Sequence, residues 1–287
     1  MPRRTLRLRV GGLTLAVEAD RPTTALEPAP EVRRFLARRG ADIRLSFCAE
    51  APPSADGEQL FDSGGAWRVH RHREGLLYEV RAPRLRPRVY KAVTIDAGLR
   101  EGRLFFPGVE GGPPSALDYP HDELLFQHRL AREGALEVHA CGVVWRNRAL
   151  VLCGQSGAGK STTARLWRRH TRRTGILSDD RIVLRPSSRG VRAWGTPWHG
   201  DGGFASPHSR PLGALFFLKR GRVSRARPLP APEAAARLLA RGFPPPWDEV
   251  AMARALEACA AITASVPAFE LAFRPDRTAI DAVRDAF

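Results

Sequence analysis

Residues 150–167 read LVLCGQSGAGKSTTARLW, and the spacing of their glycines, Lys160 and Ser161 decides how the rest of the chain is read. The apolar run LVLC leads into GQSGAGKS, which meets the pattern G-x-x-x-x-G-K-[ST] at every defined position, and a helix-like STTARLWRRH follows. Strand, loop and helix in that order make a phosphate-binding loop. Gly154, Gly157 and Gly159 let backbone N–H groups turn inward, and the backbone of Ser156, Ala158 and Thr162 belongs to the same cradle. The helix aims its positive N-terminal end at the anion. In this reading Lys160 bridges the β- and γ-phosphates of ATP and Ser161 ligates Mg²⁺. Of 46 basic residues only Lys91, Lys160 and Lys219 are lysine. A compact point charge, rather than a guanidinium, is what this position needs.

Two flanking segments complete the constellation. Downstream, GILSDDRIVLR is a short strand ending in Asp179 and Asp180, with Asp179 only 19 residues after Lys160. One helix and one return strand fill that interval, so the carboxylates are expected beside the loop. Paired acids there can hold Mg²⁺ and accept a proton from an attacking hydroxyl. Transport-type ATPases carry LSGGQ and a more distant acidic strand, and GTPases carry N-K-x-D; both motifs are absent. Upstream, ALEVHACGVVWRNRALVLCG reads as a β-hairpin around a polar Arg-Asn-Arg turn, placing His139 on the strand that precedes the loop.

HACGVVWRNRALVLCGQSGAGKSTTARLW followed by LSDDRIVLR resembles the catalytic core of HPr kinase/phosphorylase, a core related in fold to phosphoenolpyruvate carboxykinase. The motif-level resemblance covers residues 138–185. It implies Asp179 as the base for an acceptor hydroxyl, Asp180 as a metal ligand beside Ser161, and His139 near the γ-phosphate, with ATP and Mg²⁺ as cofactors. The long Gly-Arg-Asn signature of the bacterial HPr kinases has no counterpart, and the N-terminal part reads differently from theirs. The better match is the broad set of HPr-kinase-related proteins, some of which modify a Ser in ribosomally made peptides such as lasso peptides. The implied acceptor is therefore a Ser hydroxyl of a protein or peptide. The alternatives are a small-molecule kinase, which usually begins with its loop, and a nucleotide-binding regulator without efficient turnover.

Further on, GTPWHGDGGFASPHSRP (195–211) is a candidate substrate loop. Trp198 and His199 could stack on a base or grip an acceptor, Asp201 could touch the metal, and Arg210 could meet phosphate charge; a structural turn around one buried Trp accounts for the stretch equally well.

The remainder sets the frame. Alternating runs through residue 107 make the first part mostly β, with a short helix in EVRRFLARRG closed by Gly40. GVEGGPPSALDYP (108–120) reads as a linker, followed by the amphipathic helix DELLFQHRLARE. After residue 211 come a buried strand LGALFFLKR, helices near APEAAARLLARG and WDEVAMARALEACAAIT, a strand AFELAF, and a helix from Asp276. The expected fold is mixed α/β: a β-rich N-terminal domain over 1–115, suited to docking an acceptor, and a P-loop kinase core of HPr kinase type over 116–287. The formal charge of +16 is nearly all arginine and spread along the chain. It points to an acidic partner more than to nucleic acid, which wants aromatics interleaved with the basic residues. Four cysteines lack C-x-x-C spacing, and no apolar run reaches the ~20 residues of a membrane span. VGGLTLAV runs into Glu18 and Asp20 and reads as strand, turn and strand rather than a signal peptide. A cytoplasmic protein without membrane partners is expected, and a homo-oligomer is compatible with this reading.

Overall fold

The structure, a computed structural model, describes residues 4–19, 26–82, 89–108, 115, 117–171 and 175–287. The chain divides into two compact units, Met1–Arg129 and Leu130–Phe287. The linker reading of 108–120 falls largely on residues outside that described set.

The first unit is one mixed sheet built from β1 (Thr5–Val10), β2 (Leu13–Ala19), β3 (Ile43–Cys48), β4 (Gln59–Asp62), β5 (Trp67–His72), β6 (Gly75–Arg81), β7 (Val89–Asp96) and β8 (Glu101–Phe105). The strand order is β1-β2-β3-β8-β7-β6-β5-β4, with parallel pairings only at β2–β3 and β3–β8. Alternation explains the buried face: Leu6, Leu8 and Val10 on β1 and Ile43, Leu45 and Phe47 on β3 are buried while Arg9, Arg44 and Ser46 face out. The helix expected in EVRRFLARRG is instead a 3-10 helix, Pro30–Phe35. It ends early because Leu36 is extended and bridges Leu8 while the Ala37 N–H donates to the Arg7 carbonyl at 2.8 Å. Sheet pairing outcompetes helix propensity there, and Gly40 closes no helix.

Helix α1 (His121–Arg132) opens on the buried trio His121, Asp122 and Glu123. Burial, then the charge of Lys91, holds the His121 imidazole well below its ordinary 6.5. Neither ring nitrogen has a hydrogen-bond partner among the described residues. The unfolded chain takes a proton near pH 6.5 that the folded chain refuses. Stability from this group is thus complete above pH 6.5 and is lost as the pH falls below it, at up to about 1.4 kcal/mol per pH unit. We expect the thermal midpoint of the first unit to drop between pH 7 and pH 5 by less in His121→Phe than in the wild type. Equal slopes would assign the acid sensitivity elsewhere.

The second unit contains β9 (Leu136–Trp145), β10 (Arg148–Cys153), α2 (Lys160–His170), β11 (Ile176–Ser178), β12 (Arg181–Arg185), β13 (Arg192–Gly195), β14 (Ser209–Arg220), β15 (Arg225–Pro228), α3 (Ala231–Leu239), α4 (Glu249–Ser265), β16 (Ala268–Phe273) and α5 (Arg277–Ala286). Its sheet runs β10-β9-β12-β13-β14-β16-β15, with β11 on β9 and a parallel β10–β14 pairing. The β9–β10 hairpin turns through Arg146 (φ 47°) and Asn147 (φ 61°), the left-handed pair that a two-residue turn requires. β10 is buried on both faces, which is why its sequence is an uninterrupted apolar run. Ala149, Val151 and Cys153 pack with Leu238 of α3 and Ala255 and Ile262 of α4. Leu150 and Leu152 pack with Trp167 of α2 and Ile280 and Val283 of α5. Two helix pairs thus sandwich the sheet, each buried Leu or Val contributing about 1.5–3 kcal/mol. The short strands β4, β13 and β15 were not visible as alternating runs. No described helix is long and apolar enough to cross a membrane.

Candidate functional site

Strand β9 pairs with β12 over its first half and with β10 and β11 beyond it. His139 is its last residue opposite β12, where it faces Arg181, and Ala140 is its first opposite β10, where it faces Cys153. At this divide the Gly154 N–H donates to the His139 carbonyl at 3.2 Å and the Ala140 N–H donates to the Asp180 carbonyl at 3.0 Å. One dipeptide therefore fixes the start of the 154–161 loop and the end of the Asp pair. The cleft lies beyond the carboxyl end of β10, where open α/β sheets place their ligands.

The cleft measures about 340 Å³ and is lined by His139, residues of the loop from Ser156 to Thr162, Arg165, Asp180, Gly200 and Asp201. Its loop wraps through two left-handed glycines, Gly157 (φ 73°) and Gly159 (φ 99°), the latter the N-cap of α2. A Cβ on Gly159 would lie 2.5 Å from the Phe273 ring, whereas one on Gly157 would meet nothing within 4 Å. Gly159→Ala should therefore cost about 2 kcal/mol, seen as a Tm fall of about 4–8 °C. Gly157→Ala should cost only about half as much, since it suffers the backbone strain alone. Equal losses would show that contact with Phe273 is not what constrains position 159.

Lys160 is buried, and its Nζ donates to the carbonyls of Gly154 at 3.1 Å and Gln155 at 3.0 Å. Burial draws its pKa below the ordinary 10.5, against the pull of Asp180. His139 Nε2 hydrogen-bonds Asp180 Oδ1 at 2.9 Å, and the Arg181 guanidinium donates to Asp180 Oδ2 at 2.6 Å. Burial works to raise the Asp180 pKa, but the His139 hydrogen bond and the charges of Arg181, His139 and Lys160 outweigh it and hold it below 3.8. Asp180 is thus an ionised carboxylate facing the cleft.

Asp179 does something else. It is fully buried, and its carboxylate accepts backbone N–H groups from Gly200 (3.2 Å), Gly202 (2.8 Å) and Phe204 (3.3 Å). The implied base at Asp179 is not among the residues lining the cleft; its carboxylate clasps the 200–204 loop. The reason is local. Ser178 Oγ accepts the N–H groups of Asp180 and Arg181, both at 3.3 Å, making a bend that sends the two carboxylates apart.

The clasped loop is part of the 195–211 candidate. Gly200 and Asp201 reach the cleft, and the Asp201 carbonyl accepts from Arg165 at 2.9 Å. Trp198 is buried, its carbonyl held by Ser178 and Thr196, and so acts as the loop's anchor. His199 is exposed and Arg210 turns to the Ser209 carbonyl; neither lines the cleft. Arg165, Arg181 and Gly200 were not anticipated. Arg165 follows Ser161 by one helical turn and could have been read from that spacing; Gly200 carries no such signal.

Room for a metal ion can be judged at Gly200. A Cβ there would lie 3.2 Å from Asp179 Oδ2, 3.4 Å from Asp180 Cβ and 3.4 Å from Ser161 Oγ, so the missing side chain keeps open the gap these groups share. Among the described residues no three His, Cys, Asp or Glu converge as a metal site. Ser161 and Asp180 offer the one or two hard oxygen ligands that Mg²⁺ takes when phosphates and water fill the other positions.

No family model matches the chain, and no curated protein does. Among solved structures, the chain is similar to the Hpr(Ser) kinase/phosphatase from Coxiella burnetii, over 52% of this chain and 89% of that one, with 14% identity and a TM-score of 0.30. Values at this level leave the chemistry of the cleft to be read from the cleft itself.

Proposed function

We propose that the second unit is an ATP-dependent phosphotransferase that hands the γ-phosphate to a hydroxyl, a Ser of a protein or ribosomally made peptide. The observation that carries this reading is the convergence of His139, Lys160, Ser161 and Asp180, from β9, α2 and the bend after β11, on one cleft. The loop N–H groups and the N-terminus of α2 receive the phosphate chain. Lys160 leaves the Gly154 and Gln155 carbonyls for the phosphate oxygens, exchanging two neutral acceptors for charged ones. Asp180 accepts the hydrogen bond of the incoming hydroxyl and receives its proton as the new O–P bond forms and the bond to the ADP oxygen breaks, and His139 holds that carboxylate in place. Phosphoryl transfer is governed more by positioning and charge than by a strong base, so a carboxylate with a depressed pKa suffices. Ser161 and Asp180 would hold Mg²⁺, which would neutralise part of the phosphate charge.

The test is transfer of label from γ-labelled ATP and Mg²⁺ to a desalted extract of the source cells. We expect label on a protein or peptide, and none with Lys160→Met. Label found on small metabolites instead would identify a small-molecule kinase. ATP bound through Lys160 with no acceptor-dependent ADP release would identify a nucleotide-binding regulator.

A further inference from the structure

The first unit carries a pocket of about 420 Å³ lined by Arg7, Glu18, Arg38, Arg39, Ala41 and Arg44, with Gly40. Its floor follows from register. Arg7 on β1, Ala16 on β2 and Arg44 on β3 lie side by side on one face, so two guanidinium stems flank a residue whose side chain is a single methyl. Neighbouring strands are about 4.8 Å apart, which sets the two arginine backbones roughly 10 Å from each other. The 36–42 segment lines the same pocket and is tied at both ends. Leu36 bridges Leu8, the Ala37 N–H donates to Arg7, and the Asp42 N–H donates to the Thr14 carbonyl at 2.8 Å while its carboxylate accepts from the Thr14 N–H. These ties keep the backbone of Arg38 and Arg39 beside the pocket that Arg7 and Arg44 line.

The charges are not balanced. Arg7 has Glu18 at 3.6 Å and Arg44 has Glu101 at 2.9 Å. Arg38 and Arg39 have no ion-pair or hydrogen-bond partner among the described residues. Two unpaired forks held over a shared space are suited to oxyanions, which guanidinium binds bidentately. The lining has no aromatic side chain on which a base could stack, which disfavours single-stranded nucleic acid. The two paired arginines already show which oxyanion this frame accepts, a side-chain carboxylate.

We propose that this pocket binds the carboxylate side chains of an acidic peptide segment, and that the segment belongs to the acceptor of the phosphotransferase; the second clause rests on the kinase reading, the first does not. The probe is a fluorescent glutamate-rich peptide, titrated by anisotropy without nucleotide at about 0.15 M salt, where long-range attraction is screened. The glutamine counterpart should bind at least about tenfold more weakly. Arg38→Gln/Arg39→Gln should lower affinity for the glutamate peptide about tenfold or more, while the charge-matched Arg33→Gln/Arg34→Gln should change it by less than about twofold. Equal losses in the two variants would reduce the effect to net charge and overturn the pocket. So would displacement of the peptide by inorganic phosphate or by an oligonucleotide at lower concentration than by unlabelled glutamate peptide. If the peptide binds as expected while no phosphoryl transfer occurs in any extract, the kinase reading fails and the pocket stands. If transfer occurs and Arg38→Gln/Arg39→Gln leaves the acceptor KM unchanged, the pocket is not the acceptor's.

Discussion

Asp180→Asn should lower phosphoryl transfer by about two to four orders of magnitude, the range for removing an acid–base group from a reacting hydroxyl, while leaving the fold intact. The side chain is about a quarter exposed, at 27%, and its partners His139 and Arg181 are held by other contacts. The Arg181 guanidinium also lies over the Phe243 ring at 4.3 Å, and His139 sits on strand β9 with its backbone N–H donating to the Arg241 carbonyl at 2.8 Å. The neighbouring substitution should behave in the opposite way. Asp179→Asn replaces one acceptor oxygen by an NH₂ group aimed at backbone N–H groups in a site without water access. That mismatch costs about 2 kcal/mol, a Tm fall of about 4–8 °C for a unit of this size. Activity should fall mainly through a raised KM, because Gly200 and Asp201 are released from the cleft wall while Asp180 and Lys160 are untouched. Thermal melts and a kcat-against-KM comparison of the two variants decide the matter. A kcat collapse in Asp179→Asn with a stable fold, and a near-normal kcat in Asp180→Asn, would restore the roles implied by the family resemblance.

The contrast between these two residues marks where sequence reading stops. The glycine spacing at 154–161, the apolar run before it and the turn at Arg146 and Asn147 each have one physical meaning, and the structure has strand, loop and helix in those places. The expected convergence of His139, Lys160, Ser161 and Asp180 follows from the same local pattern. Two adjacent aspartates have identical composition and nearly identical position, so nothing in the letters separates a cleft carboxylate from a loop clasp. The separation depends on Ser178 capping the bend and on a loop some twenty residues later presenting three N–H groups. The same holds for EVRRFLARRG, whose helical periodicity is real but whose Leu36 is captured by Leu8 from a strand read long before it. The basic pocket was legible only as scattered arginines, since Arg7, Arg44 and the 36–42 segment meet through parallel and antiparallel register.

Lys91→Met should cost the first unit about 3–5 kcal/mol, a Tm fall on the order of 10–20 °C, whereas Lys91→Met combined with Asp118→Leu should return to within about 1 kcal/mol of the wild type or exceed it. Lys91 sits on β7 with no exposed surface, donates to the Ser115 carbonyl at 2.8 Å and to the Asp118 carboxylate, and lies 4.4 Å from the centre of the Phe106 ring. Burial draws the lysine below its ordinary 10.5 and pushes the Asp118 carboxyl above 3.8, in each case against the attraction of the partner. For each member burial outweighs the attraction of its partner, so the pair is a net cost, and removing one member makes matters worse by leaving the other buried without its counter-charge. Removing the lysine alone strands a carboxylate that is 14% exposed and has lost its ion-pair partner. Removing both charges relieves both penalties and leaves an apolar side chain beside Phe106. Lys91 and Lys160 are both buried, one over the Phe106 ring and one in the cleft. Equilibrium unfolding of the wild type, both single variants and the double variant measures the coupling. A double variant no more stable than the worse single one would mean that the pair holds the unit together by direct attraction, and would overturn this account.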